Sequence, residues 1–160
     1  MKPLIVLIIT SVISLILIKI INREYDFALS ARIGMSVMLL FTALGHFLYT
    51  DGMTMMIPDV MPFKREIVYF TAIIEIVAAI GLHISIIRPI TAWILIVFFL
   101  LMLPANIKAS IEQINYKTGT YDGSGLQYLW FRIPLQLVFI VWVYGSSLRF
   151  SVKNEIGMIL

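Results

Sequence analysis

Apolar residues run along the chain in five long blocks separated by short polar segments, at residues 3–21, 28–49, 66–87, 90–110 and 127–147. Each block is close to the ~20 residues a helix needs to cross a hydrocarbon core. The pattern therefore predicts five spanning helices. In the first block no charged residue falls between Lys2 and Lys19, and no A-x-A cleavage pattern follows it. It reads as an uncleaved anchor helix over 1–24, set at the edge of a bundle. The second block carries Arg32, Ser36, Leu39, Ala43 and His46 at alternating spacings of four and three. That spacing places them on one helix face, and small residues such as Gly34 and Gly45 suit close helix approach.

The connectors differ in kind. TDGMTMMIPDVMPFKRE, between the second and third blocks, combines Asp-Gly with two prolines, which break helix. It reads as an interfacial loop folded over the mouth of the bundle. Met53, Met55, Met56 and Met61 within it fit a flexible apolar lid. With no second Met- or His-rich segment, they do not argue for a Cu(I) thioether site. The corner at Arg88-Pro89 is tight enough to make the third and fourth blocks antiparallel neighbours. In LMLPANIKAS, Pro104 removes a backbone hydrogen bond and bares a carbonyl about one turn earlier. The segment 112–126 is a polar turn with three glycines. In the fifth block Tyr128, Arg132 and Gln136 follow at i, i+4 and i+8 on one face, and Pro134 bends the helix among them. Trp130, Trp142 and Tyr144 suit a membrane interface. The tail SVKNEIGMIL reads as short and superficial.

Composition sharpens the class. At 61% hydrophobic and 13% charged, with a mean hydropathy of +0.99, the 160-residue chain has more apolar surface than one small soluble core could hide. An all-α integral membrane bundle is the class that fits, organised as a single transmembrane domain over 1–160. The net charge of +3 is dispersed over the loops and calls for no nucleic acid. The absence of cysteine excludes disulfides, thiol relays, thiolate metal sites and Fe–S ligation from this chain. Two histidines, His46 and His83, make no metal cage by themselves.

Candidate chemistry centres on Glu75, near the middle of the third block. A carboxylate at that depth costs about 2.5–3.5 kcal/mol on insertion scales, so it faces a partner or a wet cavity. Alternating helix direction places His46, Asn106 and Arg132 within about two turns of one membrane face, with Glu75 about 13 Å below it. Four helices thus send polar groups toward one mouth. The expectation is a cleft with Glu75 at its floor, His46 and Arg132 on its walls and Gln136 on the same helix face as Arg132. Arg132 can reach inward to Glu75 or snorkel outward. The architectural alternative is that a Glu–Arg pair only fixes helix register and His46 only caps a helix. His83, near the opposite face, reads as interfacial.

Several short segments carry a resemblance: GHF at 45–47, MIPDVMP at 56–62, Glu75 with AIGL at 79–82, LPAN at 103–106 and LWFRIPLQ at 129–136. In order and spacing they resemble the DoxX-like family of small membrane proteins over about 31–144. The resemblance implies a four-helix core, here 28–148, with the first helix added. Some members are implicated in quinone-linked sulfur oxidation or redox-associated membrane complexes, and the lack of cysteine here leaves no thiol-based variant. It further implies a bacterial inner-membrane, multi-pass protein with a cytoplasmic C-terminus, so that the cleft opens outward. Basic residues are nearly balanced across the two faces and decide little by themselves.

The leading expectation is an accessory or binding subunit. Its cleft, with His46, Glu75, Asn106, Arg132 and Gln136 as ligand-binding residues, would hold a small lipophilic molecule, quinone or lipid, for a redox partner protein. The alternatives are a membrane enzyme acting on a lipid or quinol with Glu75 as general acid/base, and a proton-coupled transporter of a small solute.

Overall fold

The computed structural model describes residues 2–149 and is all-α. Lys153 and the tail read as superficial lie outside the described residues. Helix α1 (Lys2–Asn22) runs antiparallel to α2 (Phe27–Leu48), and the short α3 (Thr50–Met56) follows directly through Tyr49. Helix α4 (Lys64–Gly81) leads through a corner to α5 (Arg88–Leu101), which breaks at Met102 and continues as α6 (Leu103–Ile111). Helix α7 (Leu126–Val143) ends in a π-helical turn, Tyr144–Arg149.

Among the described residues, four helices are long and apolar enough to cross a membrane: Lys2–Asn22, Phe27–Leu48, Arg88–Ile111 and Leu126–Arg149, the last two counted through their breaks. Helix α4 differs from them because its 18 residues include Lys64, Arg65, Glu66 and Glu75. It is also displaced from the expected 66–87: it begins at Lys64 and stops at Gly81, and residues 82–87 form the corner. The stop has a packing reason. A Cβ on Gly81 would lie 2.6 Å from Thr91 Oγ1, so the start of α5 presses directly on the α4 backbone.

The α1–α2 contact is built on small residues. Leu7, Ser11 and Ser14 form the buried stripe of α1, and a Cβ on Gly34 would sit 1.9 Å from Ser11 Oγ. The outward face of α1 remains apolar and exposed, as a lipid-facing helix requires, with Ile20 at 70%. Gly45, grouped with Gly34 in the sequence, makes no such approach; Met53 Cε lies 3.8 Å from where its Cβ would be.

Helix α4 lies antiparallel along the Arg32–His46 face of α2. Ser36 Oγ donates to Ala79 O at 2.8 Å, Thr42 Oγ1 lies 3.0 Å from Glu75 Oε1, and Thr71 Oγ1 lies 3.2 Å from His46 Nδ1. Each step forward on α2 is a step back on α4. The core between the helices includes Met35, Met38, Leu39, Ala78, Leu82 and Leu95, all nearly inaccessible.

One sequence expectation changes in the connectors. TDGMTMM forms helix α3 rather than an irregular loop, because Gly52 serves packing and not a turn: its Cβ would fall 2.0 Å from Tyr116 O. Within α7, Trp142 Nε1 donates to Ala31 O at 3.0 Å and ties α7 to α2. Trp130, at 82% exposure, does face outward.

Candidate functional site

Between α2, α4, the α5–α6 break and α7 lies a cleft of about 440 Å³ whose walls are mostly apolar. His46, Glu75, Asn106, Arg132 and Gln136 all line it. The rim comes from Met53, Met56, Tyr116 and Lys117, and from Lys2 at the start of α1.

Glu75 is 5% exposed. Its Oε1 meets Thr42 Oγ1, and its Oε2 lies 3.5 Å from His46 Nε2 with no hydrogen-bond partner of its own. The other ring nitrogen of His46, Nδ1, lies 3.2 Å from Thr71 Oγ1, whose hydroxyl donates to Val68 O at 2.7 Å.

Of the two placements open to Arg132, the inward reach to Glu75 is not the one taken. Among the described residues no ion pair joins Arg132 to Glu75. The Arg132 guanidinium instead stands over Tyr128, 4.8 Å from its ring centroid, and 6.0 Å from that of Tyr116. Cation–π attraction of this kind holds a charge at the cleft wall without a carboxylate.

The two amides work at the proline break. Gln136 Nε2 donates to Phe99 O at 3.1 Å, and Asn106 Nδ2 donates to Met102 O at 3.0 Å. Phe99 O is a carbonyl that the broken ladder around Pro104 leaves open, whereas Met102 O also accepts from the Asn106 backbone N–H at 3.2 Å. Asn106 Oδ1 also accepts from Tyr128 Oη at 3.2 Å, so both ends of Asn106 are engaged. Gln136 is not so placed: its Oε1 is buried and has no partner.

Thr42 and Thr71 were not singled out from the sequence, although each is four residues from a predicted site residue on the same helix. Thr42–His46 on α2 and Thr71–Glu75 on α4 form two facing i, i+4 pairs, a spacing that was available as a signal. His83 and Arg32 stand apart, at the opposite end of the α2–α4 contact.

The mouth is closed on one side by a latch. Asp59 Oδ1 accepts from Lys64 Nζ at 2.5 Å and from Lys108 Nζ at 2.9 Å, while Lys108 also donates to Ile57 O at 3.0 Å. The two lysines hold the exposed Asp59 carboxyl down at about 2. Arg65 binds Asp51 across the same rim.

No curated protein and no solved structure matches the chain. Its residues 35–147, from the middle of α2 to the π-helical turn and so including every cleft residue from the predicted set, match the family model described as Domain of unknown function (DUF8561), and the chain belongs to that family.

Proposed function

We propose that this is a membrane binding or accessory subunit whose cleft holds the polar head of a small lipophilic molecule, a quinone or a lipid, for a redox partner protein. The observation that carries the reading is the pair of buried, unpartnered acceptors, Glu75 Oε2 and Gln136 Oε1, on residues lining one apolar cleft. Buried polar atoms without partners are costly, and a ligand head that hydrogen-bonds them removes that cost. Arg132 over its tyrosines supplies a fixed positive charge at the wall for a ligand oxygen. The DoxX-like resemblance supports the redox setting and the inner-membrane, multi-pass placement with a cytoplasmic C-terminus. Helix α4 is the fifth span in this reading: at about 27 Å it runs beside α2, and three of its four charges lie in its first three residues.

The test is mass spectrometry of small molecules released from gently purified protein, beside a Glu75→Gln control. A stoichiometric quinone or lipid that is lost in the control is the expected result. Equal occupancy, or an empty and equally stable protein in both cases, rejects the reading.

One observation favours a second reading. His46 Nε2 faces Glu75 Oε2 at 3.5 Å, a placement that would let Glu75 act as general acid/base on a lipid or quinol with the imidazole beside it. That version requires turnover whose pH profile changes in His46→Gln.

A further inference from the structure

At the membrane face opposite the cleft mouth, Arg32 is 9% exposed on the first turns of α2. Its Nη1 donates to Ser146 O at 2.9 Å in the π-helical turn, and its Nε is buried without a partner. No carboxylate forms an ion pair with it among the described residues. The nearby Asp26 spends its Oδ1 on the Leu29 N–H as the α2 cap. One turn along α2, Ser36 Oγ lies 3.0 Å from His83 Nε2 at the corner, and half-buried Arg88 donates from Nε to Leu82 O at 3.0 Å. Partial desolvation, then the Arg32 and Arg88 charges, hold His83 below its ordinary range, which places all three side chains in one positive field.

A buried guanidinium that no carboxylate contacts, with Asp26 acting on it only through space, is an expensive arrangement in or near a bilayer. The surrounding face has the matching sign: Lys19, Arg23, Arg32, Arg88 and Arg149 stand against Glu24 and Asp26. An apolar groove of about 650 Å³, between α1, the start of α2 and the end of α7, has Ser146 in its lining. Cation and groove therefore meet at Ser146, as a phosphate and an acyl chain of one molecule meet at a glycerol.

We infer that the Arg32–Arg88 cluster is a binding site for the phosphate of an anionic phospholipid, distinct from the cleft, with the lipid chain lying in the α1–α7 groove. Arg32 supplies the buried charge, Arg88 the outer one, and His83 stays bound to Ser36 as a positioning residue.

The test uses the full chain in neutral-detergent micelles doped with equal phosphatidylglycerol and phosphatidylcholine, with retained lipid read by native mass spectrometry. Phosphatidylglycerol is expected to be retained in preference, about fivefold less in Arg88→Gln, one surface charge being lost, and not detectably in Arg32→Gln. Should Arg32→Gln fail to fold, the half-exposed Arg88→Gln carries the test alone. Equal retention of the two lipids, or unchanged preference in Arg88→Gln, overturns the site. Displacement of the bound lipid by inorganic phosphate overturns the lipid assignment in favour of a free-phosphate site. None of these outcomes depends on whether the Glu75 cleft is occupied.

Discussion

Gln136 divides its two ends between architecture and the cleft. Its amide nitrogen closes the Phe99 carbonyl, and its oxygen is left over in the cleft. Gln136→Leu should therefore do two separable things. Stability falls by about 1–3 kcal/mol, the cost of leaving a buried carbonyl unsatisfied, and can be read from unfolding in mixed micelles. Ligand retention falls as well. Glu75→Gln removes no helix-break contact, so it should lose ligand without that stability cost. If both variants destabilise equally and neither changes occupancy, the polar residues form only a structural network. The sequence led to Gln136 through its spacing from Arg132, but spacing carries no information on which atom of an amide is spent. The same limit left the placement of Arg132 open. A guanidinium on a cleft wall and a carboxylate on its floor suggest a pair, and only the placement of Tyr128 and Tyr116 shows where the charge settles.

At the scale of elements, the rim is held by few contacts, and the Asp59 latch is the one that ties two lysines to a single carboxylate. The Asp59 carboxyl sits at about 2, below its ordinary 3.8. A lowered acid contributes fully above its ordinary value and loses that contribution as pH falls through the folded one. The latch should therefore weaken between about pH 4 and pH 2. A nitroxide on Val60→Cys, at a site 90% exposed in a chain without cysteine, reports this. Its spectrum should narrow across that window in the otherwise unchanged protein. With Asp59→Asn added it should be narrowed already at neutral pH. The change is partial, because Lys108 still holds Ile57 O. A label equally immobile in both proteins at every pH would reject the latch. The apolar blocks made the long helices legible, since length and hydropathy suffice for them. Helix α3 was not legible, because Asp-Gly reads as a turn signal when nothing in the sequence reveals Tyr116 pressing on Gly52.

For the whole molecule, the arrangement of both proposed sites rests on α4 crossing the bilayer. The cleft and the Arg32 cluster lie at opposite ends of the α2–α4 contact, and the ladder from Thr71–His46 to Ala79–Ser36 connects them. Composition ranks α4 lowest among the long helices because of its four charges. Packing argues the other way: α2 and the α5–α6 segment each qualify as spans, α2 ends at the mouth, and α5 begins at the corner. In the proposed five-span reading, a chain that must travel between those two points beside a spanning helix would cross with it, and Glu75 would be tolerated because it faces Thr42 and His46 rather than lipid. The absence of native cysteine gives a clean experiment. Phe63→Cys, just before α4, and Ser85→Cys, in the corner after it, bracket the helix at two exposed positions. A membrane-impermeant maleimide applied to sealed right-side-out vesicles should label one of them, and only after permeabilisation the other. If Phe63 is the accessible position, the cleft opens outward and the Arg32 cluster faces the cytoplasmic leaflet, where anionic lipid is concentrated. Labelling of both from one side would mean that α4 does not cross, and the fifth span with the two-faced arrangement of sites would fall together.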